Sequence, residues 1–460
     1  MTSPLTSSLL AEFQQFMEAC MLEHHVPGVA VGLLSPEGRR TLTSGVTSLE
    51  NPLPVTDHTL FLLGSIGKTY TATLVMYLIE QGRLTLETRV IDIVPELCLA
   101  DRQAAQELTV QHLLTHSGGW WEQTDEQTGD GDDALARFIE KLADVPQIFQ
   151  PGQHFSYSNS GFNLLGRVIE KVTGQTYETA MTSLVLEPLG LSETFFFPVE
   201  VMTRRFAVGH EEQGGEWRVV RPWTLPRAGN ASGGLSSSVQ DVLTYAAFHL
   251  GQTSSALLAD GARQQMQSPH IAVNGNAHGL PWHLQQRGDV TIVSHNGGMP
   301  GQYAVLWLIP ELEVAGVILT NSDGGPALHD ELTGWLYHHW LNLPPQQTKP
   351  FTEMVHFADY SGVYRIPNTS DAYTIIEENS RLNLSLKSGD EPPVFLCQLN
   401  FTAEDAALAV NCVDPRSTGL PHRFLRGETG TVEFMRVFGR VIPRAKTQPT
   451  GVLSSLHDPV

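Results

Sequence analysis

The proline-rich stretch Leu343-Pro344-Pro345-Gln346-Gln347-Thr348-Lys349-Pro350 divides the chain into two regions with different periodicity. Such a run suits neither a helix interior nor a paired strand, so residues 343–352 read as a linker. Before it lies a helix-like segment from Leu332 to Trp340. After it, Tyr360-Ser361-Gly362-Val363-Tyr364 opens a series of short alternating runs, among them Tyr373-Thr374-Ile375-Ile376, Leu382-Asn383-Leu384-Ser385-Leu386 and Val432-Glu433-Phe434-Met435-Arg436-Val437. Period-two runs broken by Gly, Pro, Asn and Asp predict an antiparallel sheet or barrel over residues 353–446. Residues 447–460 are expected to form a mobile tail. A chain of 460 residues exceeds one ordinary core, and residues 1–342 make the larger domain.

Chemistry concentrates at Ser65-Ile66-Gly67-Lys68, where a hydroxyl and an amine stand three residues apart. The apolar residues Tyr70, Leu74, Val75, Leu78 and Ile79 follow at helical spacing, which predicts that Ser65 and Lys68 share one face of a first helical turn. A serine hydroxyl needs a base within hydrogen-bond reach, and a lysine serves when burial and a helix N-terminus disfavour its charge. Two rival motifs lack a required residue. A P-loop ending in Gly67-Lys68-Thr69 needs glycine at Leu62, and a nucleophile elbow needs glycine at Leu63. The plainest alternative is a helix-capping serine beside a solvated lysine.

Hydrophobic residues at 41% and charged residues at 17% describe an ordinary globular protein. The formal net charge of −21 argues against nucleic acid or an anionic membrane as a partner. No cationic and apolar leader opens the sequence and no apolar run is long enough to span a bilayer, so a cytoplasmic location is expected. Cys20, Cys98, Cys397 and Cys412 lack zinc spacing and read as reduced, mostly buried thiols, with Cys397 and Cys412 on neighbouring strands as one arrangement. The acidic stretch from Asp125 to Asp133 lacks the twelfth-position glutamate of a calcium loop and reads as a solvated loop. The pairs His24-His25 and His338-His339 read as surface or packing residues. No metal or cofactor is expected.

Two later segments keep company with Ser65 and Lys68: Tyr157-Ser158-Asn159, and Ser294-His295-Asn296-Gly297-Gly298 after the strand-like Val290-Thr291-Ile292-Val293. In that order S-x-x-K, Y-x-N and H-x-G resemble the serine β-lactamase and penicillin-binding protein superfamily. The likeness is to class C β-lactamases and S12-type serine peptidases or esterases, over residues 10 to 340. Supporting stretches are Leu113-Leu114-Thr115-His116-Ser117-Gly118-Gly119, Pro188-Leu189-Gly190-Leu191 and Ser232-Gly233-Gly234-Leu235. The Tyr-x-Gly-x-Tyr opening beyond the linker resembles the small lipocalin-like barrel found in some members.

The resemblance implies an α/β (α+β) fold: an antiparallel sheet near residues 29–43 and 290–320 flanked by helices, with a helical subdomain over roughly 70 to 230. It implies Ser65 as nucleophile, Lys68 and Tyr157 sharing the general-base role, and Asn159 bonding Lys68 and the substrate amide. Main-chain N–H groups of Ser65 and Gly298 would hold the oxyanion, beside Gly297. His295 stands where β-lactamases usually carry lysine, and a mostly neutral imidazole weakens the anchor for a substrate carboxylate. The expected function is therefore hydrolysis of small amides or short peptides through a Ser65 acyl-enzyme, with D-amino acid preference. Alternatives are a carboxylesterase of the same fold, a β-lactamase, or a non-catalytic ligand-binding scaffold. A homo-oligomer is compatible with this reading. His116 reads as a structural loop residue, and Trp120, Trp121 and Phe155 fit a pocket lining and a core equally well.

Overall fold

Apolar side chains alternate between the two faces of one antiparallel sheet, and helices cover both. In chain order its strands are Gly28–Ser35 (β1), Gly38–Gly45 (β2), Ile271–Val273 (β3), Asn276–His278 (β4), His283–Arg287 (β5), Val290–Met299 (β6), Gln302–Ile309 (β7) and Val314–Thr320 (β8). They lie side by side in the order β2-β1-β8-β7-β6-β5-β4-β3. The computed structural model that shows this describes residues 4–122, 127–223, 225–273, 275–345, 351, 355–414 and 417–445. The chain forms two compact units, Met1–Gln347 and Thr348–Val460.

On one face of the sheet Val29, Val31, Leu33, Ile292, Val305, Trp307 and Ile318 pack with Phe13 and Met17 of helix α1 (Ser7–Glu23). On the other face Ala30, Val293, Ala304, Leu306, Val317 and Leu319 join a larger core with Leu74 and Val75 of helix α2 (Gly67–Glu80). Every residue of β1 and β8 is buried, which explains their unbroken apolar sequences. Helix α3 (Asn159–Thr173) starts with Ser158 capping the Gly161 N–H and stops at Gly174 in the left-handed conformation. Helix α4 (Val239–His249) lies directly on β1: a Cβ at Gly32 would come within 2.8 Å of Leu243 and Val239 side-chain atoms. Helix α5 (Gly325–Trp335) brings Leu328 and Leu332 to the α1 side.

The sheet anticipated from residues 29–43 and 290–320 is present, extended by β3 to β5, whose short polar segments carry no clear periodicity. Trp120 and Phe155 are buried core residues, and Trp121 is half-buried. In the acidic stretch, Asp125 and Glu126 lie outside the described residues. Asp132 pairs with Arg227 at 2.8 Å and Asp133 with Arg137 at 2.7 Å.

The second unit is an up-and-down antiparallel barrel. Its strands are Gly362–Arg365 (β9), Ala372–Glu378 (β10), Arg381–Lys387 (β11), Val394–Ala403 (β12), Ala406–Val410 (β13), Pro421–Arg426 (β14), Val432–Val437 (β15) and Arg440–Pro443 (β16). Each pairs with the next. The Ala445 N–H donates to the Val363 carbonyl at 2.7 Å and Tyr364 bridges Arg444, nearly closing the circle. Inside lie Tyr364, Leu384, Leu399, Phe424 and Met435. All four cysteines are free; Cys20 and Cys397 are buried, but Cys98 is exposed, contrary to the expectation for most of them. The Val413 N–H donates to the Leu396 carbonyl, which sets Cys412 beside the strand of Cys397. Part of the expected linker and all of residues 447–460 lie outside the described residues.

Burial holds two core imidazoles neutral, His249 beside Thr73 and His329 beside Thr320, each pushed down to about 3. In the unfolded chain both titrate near 6.5, so between about 6.5 and 3 the unfolded state binds more protons. Stability of the first unit should fall as pH falls through that window. Thermal melts from pH 7.5 to 4 should show a declining Tm; a flat profile would contradict this account.

Candidate active site

Ser65 stands in a short 3-10 turn, Gly64–Ile66, that runs directly into α2. Both residues were expected inside one α-helical turn. Lys68 is the second residue of α2, so the pair straddles the junction of the two helical segments with both side chains on one face. The Lys68 Nζ lies 3.1 Å from Ser65 Oγ. It also donates to the Ser232 carbonyl at 2.6 Å and sits 5.0 Å from the centre of the Tyr157 ring and 5.7 Å from that of Phe162. Lys68 is 0% exposed, whereas Ser65, Tyr157 and Asn159 are half-buried and Gly298 is exposed. An amine taken wholly out of water needs acceptors close by, and a hydroxyl, a carbonyl and two ring faces surround this one.

Strand β6 approaches the serine turn backbone to backbone. A Cβ at Gly297 would fall 1.8 Å from the Leu63 carbonyl oxygen and 3.3 Å from the Ser65 nitrogen. A Cβ at Gly64, whose φ is +52°, would fall 2.7 Å from the Gly298 nitrogen. Only glycine at both places lets the Gly298 main chain reach the serine turn.

His295, on the same strand, is 1% exposed and lies beneath the surface of the site rather than on it. Its Nδ1 is 2.7 Å from the Asn296 carbonyl oxygen, and its ring centre is 5.4 Å from that of His283. Burial, then His283 and Lys68, hold its basicity well below the usual range. The weak anchor expected of an imidazole here is thus a neutral, buried one.

The Tyr157-Ser158-Asn159 segment is fixed by residues that its own sequence does not reveal. The carboxylate of Glu122, itself buried, accepts the N–H groups of Asn159 at 2.7 Å and Ser160 at 2.8 Å, at the N-terminus of α3. The Trp120 indole donates to Ser160 Oγ at 2.9 Å. An Asn159–Lys68 hydrogen bond, expected from the motif, does not occur among the described residues; Asn159 is held through its main chain. Glu122 and the Ser232 carbonyl escape sequence reading because their partners are 37 and 164 residues away.

A family model described as Beta-lactamase matches residues 11–336. The chain is 34% identical to "Penicillin-binding protein 4" of Amycolatopsis lactamdurans, over 77% of this chain and 97% of that protein. Among solved structures it resembles SurE, at 26% identity and a TM-score of 0.79 over 95% of this chain and 99% of that one. The structure of SurE with D-Leu gives 25% identity and a TM-score of 0.76 over the same shares. A penicillin-binding protein homologue from Pyrococcus abyssi, described as octameric, shares the fold at 24% identity and a TM-score of 0.66, over 94% of this chain and 99% of that one.

Replacing Gly297 with alanine should cost about 1–3 kcal/mol of stability, because the Leu63 backbone has nowhere to move. Gly298→Ala would meet a Tyr303 ring atom at 3.3 Å and should cost less. Urea denaturation of the two variants checks the order; equal stabilities would refute the close approach.

Proposed function

The chain belongs to the β-lactamase family, and from that premise we propose that it hydrolyses small amides or short peptides through a Ser65 acyl-enzyme, with a preference for D-residues. The observation that carries this reading is the buried Lys68 amine 3.1 Å from Ser65 Oγ.

Ser65 Oγ attacks the substrate carbonyl as its proton passes toward Lys68, with Tyr157 above the same amine. Two groups share the base role in this scheme. Tyr157, at the half-buried surface, delivers a proton to the departing amine. The developing oxyanion sits between the N–H groups of Ser65 and Gly298, brought side by side by the glycine contacts at 64 and 297. Losing one such donor typically costs about 3–4 kcal/mol of barrier stabilisation. Asn159, at the first turn of α3, contacts the substrate amide. Water then releases the acyl group.

Neutral His295 argues against a β-lactam as the principal substrate, because it offers no fixed charge to a carboxylate. The likeness to SurE, whose structure includes a form with D-Leu, supports recognition of a D-residue. The same neutral site also suits an uncharged ester, which keeps a carboxylesterase as the second reading.

A rate panel of D- and L-aminoacyl anilides, a short-chain nitrophenyl ester and a chromogenic cephalosporin tests this. Ser65→Ala should lower turnover by on the order of 10⁴-fold or more with an unchanged Tm, and the D-anilide should be cut faster than the L-anilide. Activity surviving in Ser65→Ala would remove the serine mechanism. Ester cleavage alone would replace the peptidase reading with a carboxylesterase.

A further inference from the structure

Two hydrogen bonds bracket Tyr157, and both end on one residue. The Ser156 N–H donates to the His116 carbonyl at 2.8 Å, and the Ser158 N–H donates to His116 Nδ1 at 3.1 Å. The His116 ring also stacks on the Tyr157 ring, with centres 4.3 Å apart and planes 29° apart. His116 is buried and left-handed, with φ of 53°. A non-glycine residue in that conformation is uncommon and persists where its surroundings determine it. Phe155 and Phe162 pack on the imidazole from two other directions.

We propose that His116 is the positioning residue for Tyr157: its Nδ1 lone pair, accepting the Ser158 N–H, sets where the tyrosine stands relative to Lys68. The inference rests on the reading of Ser65, Lys68 and Tyr157 given above and adds a residue that touches neither serine nor substrate.

Because Nδ1 accepts a backbone N–H, the ring must be neutral with its proton on Nε2. The surroundings favour the neutral ring. His116 faces His278 at 5.4 Å, which faces His283 at 4.7 Å, which faces His295 at 5.4 Å, all ring centre to centre. Tyr157 stacks on the ring face, and the Lys68 amine lies over that tyrosine's ring. Burial first, then His278 and Lys68, hold His116 well below the ordinary imidazole range. A proton on Nδ1 would turn the acceptor into a donor facing the Ser158 N–H and release the segment that carries Tyr157.

Three variants separate positioning from plain packing. His116→Asn keeps an acceptor at the Nδ1 position and tolerates the left-handed backbone. His116→Gln carries its amide one carbon further out, and His116→Phe keeps the ring without the acceptor. Using the Ser65-dependent substrate, we expect kcat of the Gln and Phe variants to fall by about 10–100-fold with KM within about twofold. The Asn variant should recover to within about fivefold of wild type. Tm, measured alongside, reports the backbone strain separately from kcat. If the Phe variant does not fold, the comparison of Asn with Gln decides. Wild-type kcat in the Gln variant, or equal losses in Asn and Gln, overturns the proposal. If Ser65→Ala is inactive while all His116 variants match wild type, this inference falls alone; if Ser65→Ala is active, the serine mechanism falls and this inference with it.

Discussion

The turn that carries Ser65 and the strand that carries Gly297 and Gly298 meet with no side chain between them. A single methyl at Gly297 would overlap the Leu63 carbonyl, and one at Gly64 would strike the Gly298 main chain. Strand β6 is itself fixed by pairing with β5 and β7, and β7 pairs with β8, which pairs with β1. The main-chain nitrogens of the serine turn and of β6 are thus placed by the whole sheet, covered on both faces by helices. Pre-set geometry of this kind avoids reorganisation when charge develops on a substrate oxygen.

Burying an amine beneath this contact creates the electrostatic problem that the surrounding residues solve. Lys68 is out of water but close to Ser65 Oγ and the Ser232 carbonyl, with two ring faces nearby. The histidines around it remain uncharged, because a second buried cation would cost several kcal/mol. Their neutrality has a structural use at His116, where an unprotonated nitrogen takes a backbone proton from Ser158. The buried Glu122 carboxylate accepts two main-chain N–H groups at the N-terminus of α3. Main-chain donors at Ser156, Ser158, Asn159, Ser160 and Gly161 all have acceptors, which gives the half-buried Tyr157 and Asn159 a firm base.

The two units differ in how sequence maps to structure. In the barrel each strand pairs with its sequence neighbour, so period two and turn residues are enough to anticipate an up-and-down sheet. In the larger unit β1 pairs with β8, nearly the whole length of that unit away, and no local pattern announces such a partner. The short strands β3 to β5 pair with their sequence neighbours, but three to five residues apiece carry no legible period-two pattern. They are held by neighbours already in place rather than by their own propensity.

By itself the sequence determined what a few neighbouring residues impose on one another. Three-residue spacing at the start of an apolar-periodic segment puts Ser65 and Lys68 on one face of a first helical turn. The proline-rich stretch announces a change of architecture, and the alternating runs after it announce a barrel. Only the tertiary structure decided what surrounds the amine: the carbonyl of Ser232, the rings of Tyr157 and Phe162, and the buried imidazoles of His116 and His295. It also decided that His295 lies beneath the site and that Glu122 caps the helix bearing Asn159. Those relations join residues tens to hundreds of positions apart, and such contacts form only when sheet pairing and core burial bring the segments together.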